Sequence, residues 1–237
     1  MKLIGITGKA GAGKTTLSDM IGENPNVGVI HIDELFEKVK KEKLSKMMEN
    51  DTNGKPVAIK KNIRKILYGN KYIFLMFART KGIILTRKIN KKIKEFENEE
   101  KDIIVIESVH LRYFPIFKQL DKKVFIKRPY IVRQESVLLR DKEKNIDKET
   151  FALCDIPYKR SYYKENIDSY EYVVNNDSIE KLEQVAEEIY EDISQTSEKK
   201  RRRDSFEKYK FKVRDLQKSN KQQKREEREE EDIYEIG

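Results

Sequence analysis

The sequence contains little of the chemistry that disulfides, thiol catalysis or membrane insertion require. Its single cysteine, Cys154, excludes an intrachain disulfide and favours a reducing compartment, and we interpret it as a small, partly buried side chain. Only His31 and His110 could serve as imidazole partners of that thiol, and neither lies near it in the sequence. No apolar run approaches the roughly 20 residues of a membrane-spanning helix. We therefore expect a soluble, cytoplasmic protein without a membrane partner.

Charge, in contrast, is abundant. Lys and Arg total 51 against 42 for Asp and Glu, which gives a formal net charge of +9, and 39% of the residues are charged. The positive excess favours anionic ligands such as nucleotides, phosphorylated metabolites or nucleic acid. Because both signs are common, we interpret most of these side chains as solvated faces of helices.

Five short apolar segments predict strands. They are residues 2–7, 27–32, 102–107, 123–128 and 170–176. Their uninterrupted apolar character is typical of parallel strands that are covered on both faces. Because segments with helical spacing alternate with them, the sequence predicts an α/β fold with a doubly wound five-stranded parallel sheet. A ligand should then bind at the carboxyl ends of the strands.

The length of 237 residues suits one α/β core with an appendage. We predict one domain over residues 1–194 and a charged, mobile or helical tail over residues 195–237. Within the domain, residues 35–100 are predicted to be mainly helical. Residues 133–168, between the fourth and fifth strands, are predicted to form a lid region.

A glycine-rich loop follows the first predicted strand and opens a predicted helix. Its residues 8–15 read GKAGAGKT, the pattern of a P-loop that binds ATP. Gly8 and Gly13 allow the backbone to approach closely, so that successive amides point at phosphate oxygens. Lys14 is predicted to bridge the β- and γ-phosphates, and the Thr15 hydroxyl to bind Mg²⁺. A glycine-rich turn of another purpose is the alternative.

The predicted nucleotide contacts extend slightly beyond the motif. They comprise Gly8, Lys9, Ala10, Gly11, Ala12, Gly13, Lys14, Thr15, Thr16 and, at the end of the fifth strand, Asn175. For Asn175, turn formation before the last helix is an equal explanation.

Two acidic residues stand at predicted strand ends. Asp33 ends the second strand, where a carboxylate could orient and deprotonate an attacking hydroxyl; the alternative role is a helix N-cap. Glu107 ends the third strand, where a carboxylate would stand beside Mg²⁺; the alternative is a charge that faces water or pairs with an arginine.

Several cations surround the predicted lid region and could close over the γ-phosphate. They are Arg128, Arg133, Arg140, Lys159 and Arg160. Because guanidinium binds phosphate with a bidentate fork, we choose Arg140 as the catalytic cation and allow that the others are solvated charges. His31 and His110 lack metal-ligand neighbours in the sequence and are interpreted as structural histidines with satisfied hydrogen bonds.

With these positions fixed, the sequence resembles the dephospho-CoA kinases, within the P-loop nucleoside and nucleotide kinase group. Residues 31–35 are similar to the Asp-x-Asp motif of that family, with Asp33 at its second, catalytic aspartate and His31 at its first. Residues 138–141 resemble the end of its lid helix at Arg140, and residues 168–182 its closing strand, asparagine and helix. The resemblance implies a kinase that uses ATP and Mg²⁺ to phosphorylate the 3′-hydroxyl of dephospho-CoA, giving coenzyme A. It also implies that residues 35–100 bind the acceptor.

Two alternatives remain open at this stage. A nucleoside or nucleoside monophosphate could be the acceptor in place of dephospho-CoA. A nucleic-acid-associated protein that uses ATP as a ligand is the second alternative, with the basic run at residues 199–203 as its arm and the acidic run at 226–232 able to screen it.

Overall fold

A computed structural model describes residues 1–39, 65–140, 147–159 and 167–195 of the chain. Within these ranges five strands form one sheet: β1 (Lys2–Gly8), β2 (Val27–His31), β3 (Ile103–Glu107), β4 (Lys122–Lys127) and β5 (Tyr172–Asn175). Their order across the sheet is β2-β3-β1-β4-β5, and every neighbouring pair is parallel. The predicted five-stranded parallel sheet is confirmed.

Helices connect the strands in the described ranges. They are α1 (Lys14–Gly22), α2 (residues 32–39), α3 (residues 65–69), α4 (Lys71–Asn98), α5 (Tyr130–Arg140), α6 (Lys148–Lys159) and α7 (residues 179–195). The Asn70 side chain accepts hydrogen bonds from the amides of Tyr72 and Ile73 at 2.9 and 3.2 Å, which fixes the start of α4. None of these helices has both the length and the apolar character that crossing a bilayer requires.

Helices α1 and α4 cover opposite faces of the sheet. On β2, Val29 faces Gly22 of α1, whereas Gly28 faces the Phe96 ring of α4 so closely that a Cβ atom would lie 2.7 Å from ring carbons. The residues buried on the α4 side form a continuous core. They include Ile30, Ile32, Val39, Leu85, Ile89, Ile104, Ile106, Leu111, Phe114, Ile116 and Leu120. The doubly wound arrangement is therefore confirmed.

The strand register brings polar residues together at the carboxyl edge. His31 of β2 pairs with Glu107 of β3, and Glu107 pairs with Ile6 of β1. Because β1 runs directly on into the glycine-rich loop, the end of β3 lies beside that loop and the end of β2 lies one strand further out.

The chain divides into two compact units, Met1–Glu191 and Asp192–Gly237. Residues 192–195, the described part of the second unit, are helical. The basic and acidic runs of the predicted tail lie outside the described residues, and the predicted boundary between residues 194 and 195 stays a prediction.

Candidate active site

The glycine-rich loop, residues 8–15, leaves β1 and leads into α1. Gly13 precedes α1 with φ of 99°, in the left-handed region, and a side chain there would collide with Asn176. Gly13 has no side chain, so it provides no side-chain cap for the helix. The first amides of α1 therefore point out of the helix end without a capping side chain, which is the arrangement that binds phosphate.

Three consecutive carbonyl groups of the loop accept hydrogen bonds from side chains of later elements. The pairs are Arg133 Nη1 with Ala10 O (3.1 Å), Arg128 Nη1 with Gly11 O (3.4 Å) and Asn176 Nδ2 with Ala12 O (2.8 Å). These bonds turn the carbonyl oxygens toward the protein and leave the interior of the loop to amide groups. The loop backbone is therefore held from behind by protein side chains, as suits an anion-binding concavity built from amide groups.

Arg133 is the central support of the loop. It is 2% exposed, and its guanidinium also donates to Arg128 O at 3.2 Å and to Asp155 Oδ1 at 3.0 Å. Its guanidinium carbon lies 5.6 and 5.7 Å from the ring centroids of Tyr130 and Phe151. Arg133 thereby joins the loop to α5 and α6.

The candidate lid cations consequently separate into different roles. Arg133 is buried and Arg128 is half-buried, and both donate to loop carbonyls. Arg140 ends α5 with its side chain exposed. The side chain of Lys159 and all of Arg160 lie outside the described structure.

Lys14 lies at the electrostatic centre of the site. It is the first residue of α1, is 7% exposed, and donates to Lys9 O at 3.2 Å. Burial lowers the pKa of Lys14 below its usual value, and the charge of Arg140 adds to that effect, whereas the carboxylates of Glu107 and Asp33 oppose it. The two predicted carboxylates and the chosen arginine thus all act on this lysine.

On the α1 side of the sheet, Asp19, His31 and Glu107 form what we call the Glu107 cluster. His31 Nε2 lies 3.1 Å from Asp19 Oδ1, and His31 Nδ1 lies 3.9 Å from Glu107 Oε1. The Glu107 carboxylate is the main cause that raises the pKa of His31 above its usual range. Glu107 is only 3% exposed, so the alternative of a charge facing water is wrong.

The Glu107 cluster keeps two buried atoms, Glu107 Oε2 and His31 Nδ1, without a hydrogen bond to any described residue. Asp19, which the sequence analysis missed, stands one helical turn after Thr15 on α1, and that i, i+4 spacing is the signal that would have found it. Thr15 itself is exposed in the first turn of α1, and Thr16 beside it is half-buried.

On the α4 side, Asp33 is held by a lysine that the sequence analysis also missed. Asp33 lies inside the first turn of α2, so its predicted positions, at the end of β2 or as an N-cap, are both corrected: β2 ends at His31 and the helix begins at residue 32. Lys81 Nζ lies 2.6 Å from Asp33 Oδ1. Desolvation opposes ionisation of Asp33, but the charge and hydrogen bond of Lys81, aided by Lys14, hold the pKa of that carboxyl below its usual range.

His110 lies next to this pair, after β3. Burial, together with the charges of Lys81 and Lys14, lowers the pKa of His110 to about 4, so its imidazole is neutral at pH 7. Its ring stands edge-on to Phe74, with centroids 5.4 Å apart, and Nδ1 is buried without a partner among the described residues. Because Nδ1 of His31 lacks such a partner as well, the described residues do not confirm the expectation that both histidines have satisfied hydrogen bonds.

The two asparagines after β5 differ. Asn176 is 4% exposed and supports the loop, whereas Asn175 ends β5 with its side chain exposed. The predicted contact of Asn175 with the nucleotide stays a prediction.

Comparison with known proteins bears on the fold. No protein-family model matches the sequence. The structure is similar to TT1252 from Thermus thermophilus, with a TM-score of 0.51 and 17% identity over 81% of this chain and 97% of that one. It also aligns with a shikimate kinase from Acinetobacter baumannii in complex with shikimate (TM-score 0.47, 15% identity, 83% and 94% covered). A dephospho-CoA kinase from Campylobacter jejuni gives a TM-score of 0.45 at 18% identity, with 81% and 97% covered. The first likeness establishes a shared fold only, and the other two scores, below 0.5, add nothing to it.

Proposed function

We propose that this chain is an ATP-dependent kinase that phosphorylates a hydroxyl group of a small molecule. The observation that carries the proposal is the position of Asp33, a carboxylate in the first turn of α2, directly after β2, that is paired with Lys81 and close enough to Lys14 for their charges to interact. Phosphoryl transfer to a hydroxyl needs such a group to orient the acceptor.

The donor side fits ATP with Mg²⁺. The loop offers amide groups to the phosphates, with Lys14 placed to bridge the β- and γ-phosphates. The Thr15 hydroxyl and the Glu107 carboxylate would hold the ion, and the unpaired buried Oε2 of Glu107 supports that assignment. No group of three or more His, Cys, Asp or Glu residues in the described ranges would hold a metal alone, which agrees with the preference of Mg²⁺ for one or two carboxylates together with phosphates and waters. When bound, Mg²⁺ would neutralise charge on the phosphate oxygens.

In the transfer step, the acceptor oxygen bonds to the γ-phosphorus while the bond from that phosphorus to the β,γ-bridging oxygen breaks and ADP leaves. Asp33 orients the acceptor hydroxyl and receives its proton, which then passes to solvent. Lys81 holds the pKa of Asp33 low, so Asp33 is a weak base, and its main contribution is to orient the acceptor hydroxyl. This suits a loose transition state in which little proton transfer precedes bond formation. Arg140, whose charge acts on Lys14, would bind the oxygens of the transferred group.

Dephospho-CoA, phosphorylated at its 3′-hydroxyl, is the acceptor we propose first. The support is the resemblance of residues 31–35 and 138–141 to the dephospho-CoA kinases. A nucleoside or nucleoside monophosphate is the alternative. If the acceptor is a monophosphate, no hydroxyl has to be deprotonated, and Asp33 matters less.

The test is an ADP-release assay across dephospho-CoA, nucleosides and nucleoside monophosphates, with the product identified by ³¹P NMR. We expect dephospho-CoA to stimulate ADP release and Asp33→Asn to lower kcat about 100- to 1,000-fold. Asp177→Asn is the matched control, because Asp177 is 64% exposed and pairs with Lys181 on the surface. The kinase proposal is wrong if none of these acceptors raises ADP release above background.

A further inference from the structure

Lys81 occupies a position that is unusual for a lysine. It lies on the buried face of the 28-residue helix α4, together with Phe74, Ala78, Gly82, Leu85 and Ile89, and is 6% exposed. A lysine normally extends its stem along apolar surface until its ammonium reaches water. Because a buried ammonium is tolerated when it is paired, the contacts of Lys81 Nζ indicate what the residue does.

Among the described residues, the hydrogen bond and the ring contact of that ammonium are both with α2. Nζ lies 2.6 Å from Asp33 Oδ1 and 4.8 Å from the ring centroid of Phe36. The hydrogen bond occupies Oδ1, while the Asp33 side chain remains 57% exposed at the carboxyl edge of the sheet. Within the described part of the chain, Oδ2 receives no hydrogen bond, so a ligand can reach it.

We infer that Lys81 is a positioning residue for phosphoryl transfer: it fixes the Asp33 carboxylate through Oδ1 and so directs Oδ2 at the acceptor hydroxyl. The inference rests on the proposed function. Other charged or titratable groups face Asp33 from the neighbouring elements, namely Lys14 at the start of α1 and His110 after β3. Of the cations, Lys81 is the one in direct contact with the carboxylate, and it holds the pKa of Asp33 low more strongly than Lys14 does.

The kinetic test compares Lys81→Met with Lys91→Met. Lys91 lies on the same helix, is 79% exposed and faces Glu95 at 3.8 Å. It belongs to the last turns of α4, where Phe96 packs on Gly28 near the start of β2, away from the carboxyl edge of the sheet. We expect Lys81→Met to lower kcat about 10- to 100-fold, since a misdirected catalytic group costs that much, with the KM for ATP unchanged. The acid limb of its pH profile should move to higher pH, because the pKa of Asp33 rises when Lys81 is removed. Lys91→Met should match the parent in kcat and in pH profile.

A double-variant cycle separates action through Asp33 from a general packing effect. If Lys81 acts through Asp33, Lys81→Met added to Asp33→Asn lowers kcat by no more than about twofold further, because residues that act as a unit are not additive. Full multiplication of the two single effects overturns the inference. Methylammonium should partly restore kcat to Lys81→Ala and leave Asp33→Asn unchanged.

Folding and function are controlled separately. Should Lys81→Met fail to fold by circular dichroism, Lys81→Arg keeps the charge but changes the donor geometry, and we expect a lower kcat with an unmoved acid limb. The ¹³C carboxyl resonance of Asp33 measures the effect of Lys81 on that carboxylate without any need for turnover. Its titration midpoint should be higher in Lys81→Met, or in Lys81→Ala if that is the variant that folds, than in the parent protein. Absence of phosphoryl transfer by the parent protein refutes the proposed function and with it this role. If the parent protein turns over and Lys81→Met has the same kcat and pH profile, the inference about Lys81 is refuted while the proposed function stands.

Discussion

The two sides of the site are built in different ways. The proposed phosphate side is a contiguous loop whose carbonyls at Ala10, Gly11 and Ala12 are all held by hydrogen bonds from other parts of the protein. The proposed acceptor side gathers Asp33, Lys81 and His110 from separate elements, the first two 48 positions apart in the sequence, and leaves His110 Nδ1 without a partner among the described residues.

This difference follows from what each side would bind. Phosphate is a constant ligand, so its cradle can be fixed in advance by protein contacts, which reduces the cost of ordering it on binding. The acceptor differs between kinases, and its polar atoms have to be matched by groups that the protein does not pair within itself. Loss of a supporting contact should therefore reduce stability on the phosphate side and act on protonation or orientation on the acceptor side.

The largest effect on stability is expected from Arg133→Met, on the phosphate side. The change leaves the buried Asp155 carboxylate unpaired and removes donors to the carbonyls of Ala10 and Arg128. Removing one partner of a buried pair costs about 3–5 kcal/mol. Urea unfolding should show that loss in the free energy of unfolding, and the KM for ATP should rise.

A second variant tests the cause of that loss. Arg133→Met combined with Asp155→Leu removes both charges, and replacement of a buried pair by apolar residues is often neutral. We expect the double variant to recover most of the lost stability and little of the ATP affinity, because the donor to Ala10 O is still absent. A single variant that loses less than about 1 kcal/mol would show that Arg133 does not anchor the loop.

The next effect is expected at His110, on the acceptor side, and depends on pH. The pKa of His110 in the folded protein is about 4 against an ordinary 6.5, so the unfolded chain takes up the proton first as the pH falls. The stabilising contribution is complete above pH 6.5 and is lost progressively towards pH 4. A difference of about 2.5 pH units corresponds to about 3 kcal/mol.

The measurement is urea unfolding of the parent and of His110→Leu at several pH values between 7 and 4. Leucine does not titrate, so the free energy of unfolding of the variant should fall less steeply over this interval. Parallel curves for the two proteins would mean that His110 is protonated as readily in the folded chain as in the unfolded one. The acceptor side would then lack the buried neutral imidazole that distinguishes it from the loop.

The same contrast explains what the sequence could predict. The loop and the sheet depend on local patterns, namely a contiguous motif and short apolar segments, and both were predicted with strand ends within two residues. Asp33 was identified, but not the lysine that pairs with it. A signal was present, since Lys81 precedes the apolar residues Leu85 and Ile89 by four and eight positions, which places it on the same face of a helix, where a buried lysine must find a partner. Its partner 48 residues earlier follows only from the packing of α2 against α4.

Arginine roles show the same limit. Arg128 and Arg133 were predicted to be lid cations or solvated charges. The sequence pattern of this segment is the same whether its arginine side chains contact a ligand or the backbone of a loop. The register of β1 with β4, which pairs Gly8 with Ile126, places the arginines after β4 beside the loop. That neighbourhood is a property of the strand order, which a single sequence does not encode locally.

The smallest effect on stability is expected at the adjacent residues Asn175 and Asn176. Of these two, Asn176 is the one that supports the loop, so each serves as a reference for the other. Asn176→Ala removes the 2.8 Å bond to Ala12 O, and leaving that buried carbonyl unpaired should cost about 1–3 kcal/mol in urea unfolding and raise the KM for ATP. Asn175→Ala changes an exposed side chain and should alter stability by less than about 0.5 kcal/mol. If Asn175 contacts the nucleotide, as proposed, its variant raises the KM for ATP without a loss of stability. Equal losses of stability in the two variants would contradict the assignment of Asn176 as the support, because the residues differ in burial and in this one bond.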